Sequence, residues 1–213
     1  MLLQSTGVEL DHWPWAPGES PYQLKGLNYR GHLDWTTAHF PGGREGMCQL
    51  LAPDMAAYLS QPFLASSYYD LYPLCVAGRA MAPVMNLRFL DFVRMRSRWQ
   101  AEVDVKQIYR MLLRIVSSER VAQLMPKQIQ QAFNFGEAKM QVVDKGHASG
   151  TMAGMPLAIF PWWGAVVETY VTHVLEMAGA QRPHVSIRRG PDGDRRSEVP
   201  VVTVEIDVFF LSA

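Results

Sequence analysis

The chain has 213 residues, with 20 basic and 20 acidic side chains and a hydrophobic content of 48%, enough to bury a core without disulfide or metal staples. A formal net charge of zero excludes an overall field that would gather nucleic acid or anionic lipid onto the surface. The two cysteines, Cys48 and Cys75, sit in apolar segments and read as buried free thiols, and Met1 to Val8 lack the basic start and apolar run of a signal peptide.

Residues 1–21 carry Trp13-Pro14-Trp15-Ala16-Pro17-Gly18 and Ser20-Pro21. The prolines forbid a regular helix or an interior strand, so this stretch is expected to be an irregular arm laid on the domain by its tryptophans. Residues 22–213 are expected to form a single domain. Tyr22 to Tyr29 predicts a short strand. From Arg30 a helix is predicted, with His32, Trp35, Thr36 and His39 on one face, ended by Pro41-Gly42-Gly43. Further helical turns are predicted from Arg44 to Leu51 and from Pro53 toward Leu59. Ser66-Ser67 precede Tyr68 to Tyr72, and Pro73 is placed to start a helix that ends near Asn86.

Val105, Ile108, Leu112, Ile115 and Val116 recur at the spacing of an amphipathic helix. Ser118 is a candidate N-cap for the next helix, which Pro126 is expected to break or kink before Gly136 ends the region. From Lys139 the period changes to two. Asp144-Lys145-Gly146 supplies a turn, and a second strand is predicted within Thr151 to Phe160. His147 to Val167 contains no Asp, Glu, Lys or Arg, but its glycines and prolines favour a buried strand, a turn and a helix start over a membrane span. A helix over Trp162 to Ala178 shows a stripe of Val167, Tyr170, Val171, Val174 and Leu175, capped by Gly179. Val185 and Ile187 mark a third strand, and Gly190-Pro191-Asp192-Gly193-Asp194 reads as a loop. In the last strand Val202, Val204, Ile206, Val208 and Phe210 alternate with Thr203, Glu205, Asp207 and Phe209, so one face is buried and one partly wet. The expected class is α+β: a helical N-terminal half followed by a four-stranded antiparallel sheet, strand–strand–helix–strand–strand, packed with helices.

Chemistry-bearing motifs are few. His32 and His39 share a predicted face, but seven helical residues span ~10.5 Å, too far for both to hold one ion; either alone could serve as an axial haem ligand, and a satisfied or surface histidine is the preferred reading. The chain has no Cys-x-x-Cys, His-x-x-x-His or His-Glu-x-x-His spacing. His147-Ala148-Ser149-Gly150 lacks the leading glycine of a nucleophile elbow, and no phosphate-binding glycine loop occurs. Glu205 and Asp207 share a strand face, read as solvated. Arg88, Arg94, Arg96, Arg98, Lys106, Arg110 and Arg114 surround Trp99, but Asp91, Glu102 and Asp104 interleave, which points to a salt-bridged surface and away from nucleic acid. No cofactor, metal or enzymatic activity is expected. Trp35, Tyr69, Tyr72, Phe92 and Phe135 are candidates to line an apolar ligand pocket, with core filling as the alternative use of the same side chains.

The order of a helix-rich half, hairpin, helix and hairpin resembles the ligand-binding superfamily of haem nitric-oxide-sensing domains, vinyl-reductase-type sensor domains and Golgi tethering subunits. Ser67-Tyr68-Tyr69-Asp70-Leu71-Tyr72, Asp104-x-x-x-x-Tyr109, Phe133-Asn134-Phe135-Gly136, Gly154-Met155-Pro156 and Glu168 ahead of Ala178-Gly179-Ala180 resemble a myxobacterial family of paralogous proteins of unknown function. The resemblance spans residues 22–210. It implies a cavity between helices and sheet and a tendency to dimerise. The haem sensors place a proximal histidine on a mid-chain helix and use Tyr-x-Ser-x-Arg; here Leu87 to Trp99 holds no histidine and that motif is absent. The zinc clip of the phenol-type sensors is also absent, since no cysteine follows Cys75. The resulting expectation is a bacterial, cytoplasmic, regulatory sensor that binds an apolar small molecule in signalling, as a homodimer. The rival expectation is an interaction scaffold that binds a partner through a helical face.

Overall fold

The structure, a computed structural model, describes residues 13–105, 118–193 and 198–211. Strand β1 (Gln23–Lys25) pairs antiparallel with β2 (Tyr68–Asp70), Leu24 opposite Tyr69. Helix α1 (Gly26–His39) follows β1 directly, four residues before the helix start read from the sequence. Its first turn is held by loop carbonyls, Gly26 N–H donating to Ser67 O (2.8 Å) and Leu27 N–H to Ala65 O (3.1 Å). A Cβ on Gly26 would meet Leu64 O, so this start requires glycine. Helices α2 (Gly43–Cys48) and α3 (Pro53–Ser60) lead to β2, and α4 (Tyr72–Val84) carries Pro73 in its first turn as predicted. Helix α5 (Phe89–Asp104) completes the first half. The amphipathic run read over Val105 to Val116 lies outside the described residues, apart from Val105, which is buried.

Helix α6 (Ser118–Ala132) begins where Ser118 was expected to cap it and passes through Pro126, so the proline does not end it. Ile129 in its last turn and Phe133 just beyond its end are both buried. Phe133 also bridges Leu24, and Asn134 accepts from Gln23 N–H (2.7 Å) and donates to Pro21 O (3.0 Å). The first strand therefore links the two halves of the chain.

Strands β3 (Glu137–Asp144), β4 (His147–Pro156), β5 (Gln181–Asp192) and β6 (Val201–Leu211) form an antiparallel sheet in the order β3-β4-β6-β5. Helix α7 (Phe160–Met177) connects β4 to β5. The alternation read in the last strand holds: Val202, Val204, Ile206, Val208 and Phe210 are buried. Their face packs with Ala148, Met152 and Met155 of β4 and with the apolar side of α7, centred on fully buried Trp163. Two boundaries differ. Strand β4 starts earlier and stops at Pro156 instead of Phe160, because Pro161 sits in the first turn of α7. The turn-rich Gly190-Pro191-Asp192 belongs to β5, where Asp192 pairs with Val202 across an irregularity after Arg189 and Gly193 N–H donates to Val201 O (2.9 Å); pairing with a long partner strand overrides local turn preference.

Candidate functional site

The five aromatic residues proposed from the sequence fall into three groups. Trp35 on α1 and Phe92 on α5 meet edge to face at 5.4 Å, both buried. Tyr69 packs against Phe63 (4.8 Å) and Tyr29 (6.1 Å) beneath the loop that precedes β2. Tyr72 stacks on Trp13 at 5.3 Å, and Phe135 meets Tyr22 at 5.4 Å, where Tyr22 also contacts Trp13 and Trp15. Trp35 and Phe92 thus come together, Tyr72 and Phe135 share a second cluster through Tyr22 and Trp13, and Tyr69 stands in a third.

The second cluster is fastened by Asp70. This buried side chain accepts hydrogen bonds from Gly18 N–H (3.0 Å) in the arm and from Tyr72 N–H (2.9 Å) at the start of α4. Burial pushes its carboxyl up from the usual carboxylate range, and those backbone donors oppose the shift. Around it, Tyr29 donates to Asp70 O and Tyr58 accepts from Asp70 N–H (3.0 Å). Burial raises the Tyr58 phenol to about 12 and lifts Tyr29 and the thiol of Cys75 well above their ordinary values. The two phenols and the thiol remain protonated at neutral pH.

The α1–α5 junction has a different character. His32, 1% exposed, has neither ring nitrogen hydrogen-bonded. Burial, followed by the nearby charge of Arg96, holds its pKa well below 6.5, so the ring is neutral. Arg96, Gln100 and Asp104 lie four residues apart along α5, on one helical face. Arg96 donates to Gln100 Oε1 (3.4 Å), Gln100 donates to Asp104 Oδ1 (2.7 Å), and Tyr170 of α7 donates to Asp104 Oδ2 (2.9 Å). Arg96 is half-buried as a residue, yet desolvation of its guanidinium dominates and lowers its pKa to about 10, with Asp104 acting the other way. Burial raises the Asp104 carboxyl against its bonds to Gln100 and Tyr170. Sequence reasoning placed Arg96 and Asp104 in a solvated charged surface; their spacing with Gln100 was the signal that they form a row.

Arg88, just before α5, and the remaining basic residues of α5 do face solvent in ion pairs: Arg88 and Arg94 with Asp91 (2.6 and 3.4 Å) and Arg98 with Glu102 (3.9 Å). His39 is exposed at the rim, its ring stacked on Trp35 at 5.4 Å. On the outer sheet face Arg188 bridges Glu205 (3.6 Å) and Asp207 (2.6 Å), and His147 contacts Asp207 (3.3 Å), so these acids are paired with cations. An open groove of about 360 Å³ runs between α5, α7 and β5, lined by Arg94, Arg98, Thr172, His173 and His184 among others. His173 in its wall contacts Glu176 (2.9 Å) and Glu102 (3.4 Å). Among the described residues no group of three or more His, Cys, Asp or Glu side chains could hold a metal ion, and no helix is long and apolar enough to cross a membrane.

The α+β fold as a whole is shared with a group of solved domains. The chain superimposes on an oxygen-binding H-NOX domain related to soluble guanylate cyclases with a TM-score of 0.60 at 7% identity, covering 88% of this chain and 95% of that one. An Fe(II) unliganded H-NOX protein from K. algicida gives 0.58 at 9% identity, covering 89% and 98%. A protein studied for the modulation of haem redox potential through porphyrin distortion gives 0.60 at 7%, covering 88% and 100%. The chain therefore has the H-NOX fold. No protein-family model and no curated protein matches it.

The described side chains do not fit a haem. His32 is the buried histidine with both nitrogens free, but it is enclosed at 1% exposure, and Trp35 and Phe92 are already in contact across the same junction. Helix α6, which leads into the sheet, contains no histidine.

Proposed function

We propose that this chain is a non-enzymatic small-molecule sensor or binding module with a regulatory role. The observation that carries this reading is the match of nearly the whole chain to the fold of H-NOX domains, whose described members include an oxygen-binding one. The proposed ligand is an apolar small molecule, received among the aromatic side chains Trp35, Tyr69, Tyr72, Phe92 and Phe135; aromatic-lined sites with few polar anchors are the usual form of such pockets. Because these residues sit in three groups, Trp35 and Phe92 are the pair on which a binding site is centred. The protein acts in the cytoplasm as a homodimer, closed two-fold assemblies being the commonest for soluble chains. Residues 1–21 serve as an arm on the domain formed by residues 22–213. The reading is tested by native mass spectrometry of the full chain, which reports bound small molecule and assembly mass together.

The alternative, a scaffold that binds a partner through a helical face, draws support from one place. Leu27 (46%), Leu64 (66%) and Tyr68 (38%) are exposed around the start of α1. Leu27→Ser and Leu64→Ser would abolish partner or self-association under that alternative and leave ligand binding intact under the first.

A further inference from the structure

We propose that His173 is a proton-operated tie between α5 and α7: the protonated ring bridges Glu102 and Glu176, and the neutral ring holds Glu176 alone. Such a tie gives the chain a response to pH whether or not the aromatic residues hold a guest. His173 is buried, at 9% exposure, in the wall of the groove between the two helices. Its Nδ1 lies 2.9 Å from Glu176 Oε2 in a hydrogen bond within α7, and its Nε2 lies 3.4 Å from Glu102 Oε1 on α5. A carboxylate only accepts, so Nδ1 carries the proton toward Glu176. In the neutral ring Nε2 then bears a lone pair that faces a second acceptor, and it is buried without a hydrogen-bond partner.

A second proton resolves that contact. Both nitrogens of an imidazolium donate, so Nε2–H meets the Glu102 carboxylate, and the approach of two acceptors becomes a charge-assisted hydrogen bond of about 2.8 Å. The movement needed is small, because the helices are already pinned beside it. Tyr170, three residues before His173 on α7, donates to Asp104 Oδ2 (2.9 Å), two residues beyond Glu102 on α5. The Glu102 side chain is 40% exposed, which leaves it room to turn toward the ring.

The charges that face the ring come from three elements. On α7 Glu176 is in contact and Glu168 lies further along the groove; on α5 Glu102 is in contact, and Arg94 and Arg98 line the groove; β5 contributes His184. The two arginines oppose a proton on His173, but each has a carboxylate neighbour of its own, Arg98 the same Glu102 oxygen (3.9 Å) and Arg94 Asp91 (3.4 Å). A proton on His184 also works against the tie. The two direct carboxylate contacts outweigh these more distant cations. Histidine is the side chain that ordinarily changes charge between pH 5 and 8, so the tie closes as pH falls across that window and opens as it rises. Helix α5 ends the first, helical half of the described chain and α7 packs on the sheet, so acid makes the junction between the two firmer.

The test combines ¹⁵N NMR of the histidine rings in the full-length protein, assigned with His173→Gln, and amide hydrogen exchange, both at about pH 8 and about pH 5.5 on either side of the ordinary histidine range. Protection of the amides of residues 99–104 is expressed relative to those of β6, which exchange through global opening, so a change in overall stability cancels. The wild type is expected to carry a proton on Nδ1 alone in base and on both nitrogens in acid. Its relative protection at 99–104 should rise about three- to fivefold on acidification, the worth of a part-exposed ion pair. In Glu102→Gln the carboxamide N–H donates to the neutral Nε2, so protection there should be the same at both pH values. A wild-type ring that still holds one proton in acid, or wild-type protection that does not change, would overturn the tie. A full wild-type response in Glu102→Gln would assign the pH dependence to another group and overturn it as well. The first two outcomes are read on the wild-type chain, so a folding defect in a variant does not affect them.

Discussion

Replacing His32 with leucine tests the α1–α5 junction through stability. In the ligand-free protein two ring nitrogens are buried without partners, and an unsatisfied buried polar group costs about 1–3 kcal/mol. Leucine has similar bulk and no polar atom, so at pH 7.5 the variant should be as stable as the wild type or more stable by about 1–2 kcal/mol. The pH dependence is the sharper signature. The folded-state pKa of His32 lies well below 6.5, so as pH falls through 6.5 the unfolded chain takes up a proton that the folded chain refuses. Stability from this group is full above 6.5 and declines below it, by about 2 kcal/mol between pH 7.5 and 5.0 for one histidine. The variant should lack that decline. Urea unfolding followed by tryptophan fluorescence at the two pH values gives both numbers. A variant that loses 2 kcal/mol or more at pH 7.5 (about the worth of a satisfied buried polar group) or that keeps the full acid dependence would refute a neutral, unpartnered His32.

Asp70→Ala removes the acceptor for Gly18 and Tyr72 N–H; it should lower stability by about 2 kcal/mol and release the arm, read as faster proteolysis ahead of Tyr22. Gly146→Ala should cost about 1–3 kcal/mol for the left-handed backbone alone, since Gly146 has φ +91° and its Cβ would also strike Phe210 O; an unchanged thermal midpoint would show that the β3–β4 turn is misplaced. Titration with haemin should give no histidine-ligated Soret band, and such a band abolished by His32→Ala would overturn the mismatch between these side chains and haem.

What the sequence revealed depended on how local the determinant was. The alternation from Val202 to Phe210 and the stripe on α7 are written in consecutive residues, and both elements appear where their periods place them. Strands β1 and β2 are three residues each and exist through a pairing that joins Gln23 to Asp70; no periodicity can show in so short a run. Gly190-Pro191 reads as a turn until the pairings that flank it, Arg189 with Val204 and Asp192 with Val202, are known. The same limit governs the site. Residue type nominated Trp35, Tyr69, Tyr72, Phe92 and Phe135, but grouping them needs the crossing of α1 with α5 and the course of the arm. The helical spacing put His32 on the face of Trp35 and Thr36, which is buried. That both ring nitrogens go unpaired depends on what α5 presents, and Arg96 on that helix looks like its solvated neighbours when read in sequence alone.

Native mass spectrometry of the full-length protein, purified without added ligand and sprayed from volatile buffer, tests the small-molecule reading most directly. The expected spectrum shows a dimer of the 24.0 kDa chain with an additional small mass that leaves on collisional activation. A spectrum of bare chains, with no adduct after incubation with an apolar ligand set, would contradict the sensor reading and favour the scaffold.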